Sequence, residues 1–103
     1  MASGKDYRTF VLDQLSGLDG IAHRAMMGEF ILYYRGRIVG GIYDDRLLVK
    51  PVPAALRLLP DAPREVPYPG AKEMLLVEDV DDADFLQALF RAMYDELPPR
   101  SRR

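Results

Sequence analysis

Residues 24–51, RAMMGEFILYYRGRIVGGIYDDRLLVKP, read as a strand meander with its turns written into it. Segments 30–34, 37–43 and 46–50 are rich in β-branched and aromatic residues, and Arg35-Gly36 and Asp44-Asp45 separate them at hairpin spacing. A two-residue turn at Arg35-Gly36 sets Tyr34 opposite Arg37 and Leu32 opposite Val39. A second at Asp44-Asp45 sets Tyr43 opposite Arg46 and Ile42 opposite Leu47. Alternation then assigns Ile31, Tyr33, Ile38, Gly40, Ile42, Leu47 and Val49 to one face, the better core. The other face receives Phe30, Leu32, Tyr34, Val39, Gly41, Tyr43 and Leu48, interspersed with Arg37, Arg46 and Lys50. Arg at the first turn position must take φ > 0, so a three-residue turn with a G1 bulge at Gly36 is the competing geometry. A slip of one residue would exchange the faces.

The flanks complete the architecture. Residues 5–15 place Tyr7, Phe10, Val11, Gln14 and Leu15 at the spacing of one helical face, with Ser3 as N-cap, Asp6 three residues on, and Ser16-Gly17 and Asp19-Gly20 as the stop. Residues 21–26 form a first strand turning at Gly28. Residues 52–59 suit a short helix, with Pro53 early and Leu56 and Leu59 on one side. Pro60, Pro63, Pro67 and Pro69 then stiffen a loop ending at Gly70 and exclude a central strand there. Residues 74–77 are the last strand. Asp81 is the expected N-cap of a final helix, with Val80 and Phe85 as its staple and Phe85, Leu86, Leu89, Phe90 and Met93 as its buried stripe. Leu97-Pro98-Pro99 ends it, and residues 100–103 are expected to fray. The expectation is an α+β domain of two layers in the order α-β-β-β-β-α-β-α, a mostly antiparallel sheet with helices on one face.

At 103 residues the chain is one domain. Its 49% hydrophobic and 29% charged residues are ordinary globular values. There is no cysteine, which removes disulfides, thiolate metal sites and cysteine nucleophiles, and fits a reducing cytoplasm. His23 is the only histidine, so no histidine cluster can hold a metal. The first ten residues have no apolar run to serve as a signal peptide, and no stretch is long and apolar enough to span a bilayer. A net charge of −2, with Arg100, Arg102 and Arg103 all in the tail, leaves a body that repels phosphate. Nucleic acid and membrane are not expected partners, and no cofactor is expected.

Few residues point to chemistry. Asp44-Asp45 would suit a divalent cation, but aspartate is favoured in tight turns because it tolerates the left-handed region. Glu78, Asp79, Asp81, Asp82 and Asp84 read as a helix start more readily than as a cation site. His23 beside Arg24 has no orienting partner or nucleophile in the sequence. Gly36-x-x-x-Gly40-Gly41 lies within a strand and lacks a phosphate loop's Gly-Lys-Ser/Thr ending; there Gly40 and Gly41 mark a bend or a close approach. Met26-Met27 and Tyr33-Tyr34 suit an adaptable surface and core filling equally.

The motifs also carry a family resemblance. Arg24-x-Met26-x-Gly28, a strand ending Tyr33-Tyr34-x-Gly36, Gly41-x-x-Asp44-Asp45-x-Leu47-x-x-Lys50 and then Gly70-Ala71-Lys72-x-Met74 together resemble the N-terminal domain of the TfoX/Sxy family over residues 5–97. The resemblance implies an α+β domain akin to secretion-chaperone-like folds. It also implies kinship with bacterial competence regulators that act with the cyclic-AMP receptor protein. Full-length members add a helical C-terminal domain beyond the point where this sequence stops, and the resemblance supplies no catalytic residue.

The expected function is therefore a non-enzymatic interaction module that self-associates or meets transcription machinery through protein contacts. The expected surface is Phe30, Leu32, Tyr34, Val39, Tyr43 and Leu48, rimmed by Arg37, Arg46 and Lys50. The rival is a small-ligand binder or enzyme using a cleft beneath the proline-rich loop, with Lys72, Glu73 and Arg24 as its polar groups.

Overall fold

A computed structural model describes residues 5–26 and 29–98, with Lys5 by its backbone alone. The Ser3 cap, Met27, the Gly28 turn and the tail from Pro99 lie outside the described residues. The chain runs α1 (Lys5–Gln14), β1 (Ile21–Met26), β2 (Glu29–Tyr34), β3 (Arg37–Ile42), β4 (Leu47–Val49), α2 (Pro53–Leu58), β5 (Arg64–Glu65), β6 (Met74–Val77) and α3 (Ala83–Met93), followed by a 3-10 turn at Tyr94–Glu96. The strands make one open six-stranded antiparallel sheet in the order β1-β2-β3-β4-β6-β5. This is the α+β architecture expected from the sequence, with one addition. The two-residue β5, inside the proline-rich stretch, pairs at the sheet's edge with β6.

Both two-residue turns form. Arg35 (φ 51°) and Gly36 (φ 83°) close one, Asp44 (φ 52°) and Asp45 (φ 57°) the other, all in the left-handed region that a tight hairpin demands. Tyr34 faces Arg37 and Ile42 faces Leu47, while Tyr43 and Arg46 exchange backbone hydrogen bonds of 2.9 and 3.0 Å.

The register between the turns is different from simple alternation. Tyr33 pairs with Ile38, but Leu32 pairs with Gly40, so Val39 is an extra residue and β3 carries a bulge. Gly40 makes that geometry feasible. A Cβ there would lie 2.0 Å from the Leu48 carbonyl oxygen and 2.7 Å from the Val49 Cα. Both glycines thus mark a close approach, as expected: the β4 backbone at Gly40, and the Phe30 carbonyl oxygen and Tyr43 ring at Gly41.

The bulge decides which residues form the core. One face carries Leu32, Tyr34 and Val39 together with Ile42, Leu47, Val49, Leu75 and Val77, all buried against the helices. The core face is therefore a hybrid of the two expected faces. It packs against Val11 of α1 and Leu15 just after it, Ala54 and Ala55 of α2, and Leu86, Leu89, Phe90 and Met93 of α3. Ile31, Tyr33 and Ile38, expected in the core, lie instead on the opposite face, where Ile38 is 39% exposed.

Smaller corrections follow from the helices. Phe10 and Leu56 are exposed, because α1 and the turn after it point Val11 and Leu15 inward and α2 buries its two alanines. Asp82 caps α3, accepting from the Phe85 N–H at 3.0 Å, one residue later than the expected Asp81. Pro53 opens α2 as expected.

Candidate functional groove

The expected interaction surface does not exist as a surface. Leu32, Tyr34 and Val39 belong to the helix-covered core, with Tyr34 edge-on to the Tyr94 ring at 5.5 Å. Tyr43 and Leu48 are buried on the opposite face. Phe30 is half-buried under the Arg8 guanidinium, 4.4 Å from its ring centroid. Two of the three rim charges, Arg37 and Arg46, have partners too. Arg37 donates through Nη1 to the carbonyls of Tyr94 (3.0 Å) and Leu97 (3.2 Å) and stacks on the Tyr94 ring at 4.4 Å. It thereby adds a second donor to the Tyr94 carbonyl, which also accepts the Leu97 N–H at 3.2 Å, and fastens β3 to the 3-10 turn after α3. Arg46 pairs with Glu65 of β5, tying β4 to the sheet's far edge. The physical reason is the Val39 bulge, which carries the β2 and early β3 side chains under the helices.

Of the nine residues, Tyr43 and Lys50 do reach an open site. A groove of about 600 Å³ lies between the uncovered face of the sheet and residues 67–74. Ile31, Ile38 and Met26 contribute its sheet side, while Tyr68, Ala71 and Met74 contribute the loop side. Lys50, Lys72, Glu73 and Glu96 supply its charges. Lys72 and Glu73 thus stand where the cleft reading expected them. Arg24 lies on β1 opposite Ile31, outside the groove's lining.

The prolines explain why the groove stays open. Pro67 and Pro69 flank Tyr68 and restrict the backbone around it, so its ring reaches the Tyr43 ring at a centroid distance of 6.3 Å and still remains 51% exposed. Burial first, then the neighbouring Tyr68 and the Glu29 carboxylate, push Tyr43 ionisation above the usual tyrosine range. Its hydroxyl is therefore a neutral hydrogen-bonding group near neutral pH. Sequence reasoning missed Ile38 and Tyr68 as site residues. The legible signal for Tyr68 was an aromatic set between two prolines in a loop.

The other candidates resolve into structure. Asp44 and Asp45 form the β3–β4 turn, and the Asp44 N–H donates to Glu29 Oε1 at 3.1 Å. His23 is exposed, its ring edge-on to Phe30 at 5.9 Å. Among the described residues no three histidine, cysteine, aspartate or glutamate side chains gather as a metal site. No helix among them is long and apolar enough to cross a membrane.

No protein-family model matches the chain. No solved structure matches it. The resemblance to TfoX/Sxy therefore rests on the motifs quoted above. Over 105 residues, covering 100% of this chain and 91% of the relative, the sequence is 34% identical to the "uncharacterized 12.7 kDa protein in trpE 5′region" of Spirochaeta aurantia. With that identity across its whole length, the chain belongs to the family of this spirochaete protein.

Proposed function

We propose that the protein is a non-enzymatic interaction module whose working surface is the groove beside Tyr68. Its occupant is an apolar segment of a partner protein. One observation carries this reading. Among the described residues six large hydrophobic side chains are exposed, and three of them, Met26, Ile38 and Tyr68, line this single groove. Methionine adapts to varied partners, and tyrosine offers a rigid apolar body with a polar tip. Lys50, Lys72, Glu73 and Glu96 supply a charged rim around that apolar centre.

The motif resemblance to TfoX/Sxy supports a role in transcriptional regulation through protein contacts, and the net charge of −2 favours such contacts over DNA. The absence of cysteine supports a cytoplasmic setting. Ile38→Glu is the test. It places a charge on an already exposed position, so the fold should persist while partner binding falls by about tenfold or more. Unchanged binding by the folded variant would contradict the proposal.

A second reading is favoured by the groove's volume, which at about 600 Å³ suits a small molecule. Native mass spectrometry of the purified chain separates the two: a retained small-molecule adduct, lost in Ile38→Glu, would establish the ligand reading in place of the protein one.

A further inference from the structure

The two edges of the sheet are treated differently. β5 is two residues long and lies within a stretch holding Pro60, Pro63, Pro67 and Pro69, two devices that blunt an edge against pairing. β1, at the other edge, is six residues long, contains no proline, and exposes its last five residues. Among the described residues, only β2 pairs with it.

The ladder shows which backbone groups β1 presents. The Arg35 N–H donates to the Gly20 carbonyl at 2.9 Å, one step before the Ile21–Tyr34 pair. Antiparallel pairs alternate between bonded and non-bonded, so the pairs Ala22–Tyr33, Arg24–Ile31 and Met26–Glu29 are the inward-bonded ones. The N–H and C=O groups of Ile21, His23 and Ala25 consequently point away from β2, spaced to receive another strand.

The charge at this edge is basic in an otherwise acidic chain of net −2. Arg24 lies on the uncovered face of β1, and His23 lies on the other, towards Phe30. Arg8 sits over the Phe30 ring, Phe30 stands opposite Ala25, and Arg35 follows the Tyr34 that pairs with Ile21. Asp19 and Glu29 are the acidic residues at the two ends of the edge, and the Glu29 carboxylate accepts the Asp44 N–H. A second copy is a poor occupant. Pairing about His23 would set the two Arg24 side chains diagonally on one face, roughly 7–8 Å apart.

We propose that β1 receives an extended, acidic segment of a partner protein as an added strand. The partner's main chain would bond to Ile21, His23 and Ala25, and its carboxylates would meet Arg24 on one face and Arg8 and His23 on the other. This assignment is independent of the groove.

The test uses the full chain, isotopically labelled, titrated with a capped six-residue peptide of alternating Thr and Glu, then with its Thr–Lys counterpart. Amide shifts with the Glu peptide should centre on Ile21, His23 and Ala25, and the Lys peptide should bind about tenfold more weakly or worse. Ala25→Pro removes an outward N–H and leaves the bonds to β2 in place, so Glu-peptide binding should vanish. Arg24→Glu should reverse the preference between peptides, and Ile38→Glu in the groove should change neither. Equal response to both peptides, shifts centred elsewhere, no response at all, or binding that survives both edge variants would overturn the proposal. So would a concentration-dependent dimer abolished by Ala25→Pro, which would give the edge to a second copy.

Discussion

Leu32 of β2 stands opposite Gly40 of β3, with Val39 left over between that pair and the Tyr33–Ile38 pair before it. This one-residue excess puts Leu32, Tyr34 and Val39 beneath the helices and leaves Ile31 and Ile38 to the groove. Gly40 is the residue that permits it. Gly40→Ala should destabilise the fold by about 2 kcal/mol or more, because the Leu48 backbone cannot withdraw without opening β3 from β4. Urea unfolding of the variant beside the parent chain measures this.

Tyr34 is 6% exposed and packs within the core beside Tyr94. Tyr34→Asp should therefore unfold the domain or cost it at least about 3 kcal/mol, because an uncompensated carboxylate would replace a buried ring. Circular dichroism with thermal melting reads the loss. A folded, fully stable variant would mean that the helices do not cover this residue.

Arg37 joins the start of β3 to the end of the helical layer through the Tyr94 and Leu97 carbonyls. Arg37→Met keeps the aliphatic stem and removes both bonds, so a loss of about 1–2 kcal/mol is expected for this half-buried site. Arg37→Lys should recover little of it, since an ammonium cannot reproduce the planar contact with the Tyr94 ring. Chemical denaturation of the three proteins compares them.

Tyr43 ties the groove to pH. Its ionisation is raised by burial, Tyr68 and Glu29, so the folded state holds this proton more tightly than the unfolded chain does. The stability so contributed is fully present below the unfolded tyrosine value of about 10 and is lost as pH climbs through the higher folded value. Tyr7, raised first by burial and also by Asp45, shifts in the same direction. Tyr43→Phe should accordingly lose less stability than the parent between pH 9 and pH 11, roughly the span over which tyrosine ionises. Equal alkaline losses in the two proteins would contradict this.

How far the sequence could be read depended on how local each signal was. Gly36 and the Asp44-Asp45 pair tolerate the left-handed region, so the two turns and the β2-β3-β4 meander they join were legible from single residues, whereas β5 and the place of β6 beside β4 were not. The bulge was not, because alternation assumes one residue opposite one residue. Adjacent glycines at 40 and 41 inside an apolar strand were its only trace. That miscount moved the apolar face of β2 to the wrong side, and the expected docking surface went with it. The cleft under the proline-rich loop was legible in Lys72 and Glu73, whereas its floor was hidden, since Ile31 and Ile38 had been assigned to the core.

The groove itself is tested most directly by photo-crosslinking in living cells, with benzoylphenylalanine placed at Tyr68 and, as a control, at the exposed Leu56 of α2. The expected result is a discrete protein adduct from position 68, absent from position 56 and lost when Ile38→Glu is added. Adducts of equal yield from both positions, or an adduct at 68 that Ile38→Glu leaves intact, would contradict the assignment of this groove as the working surface.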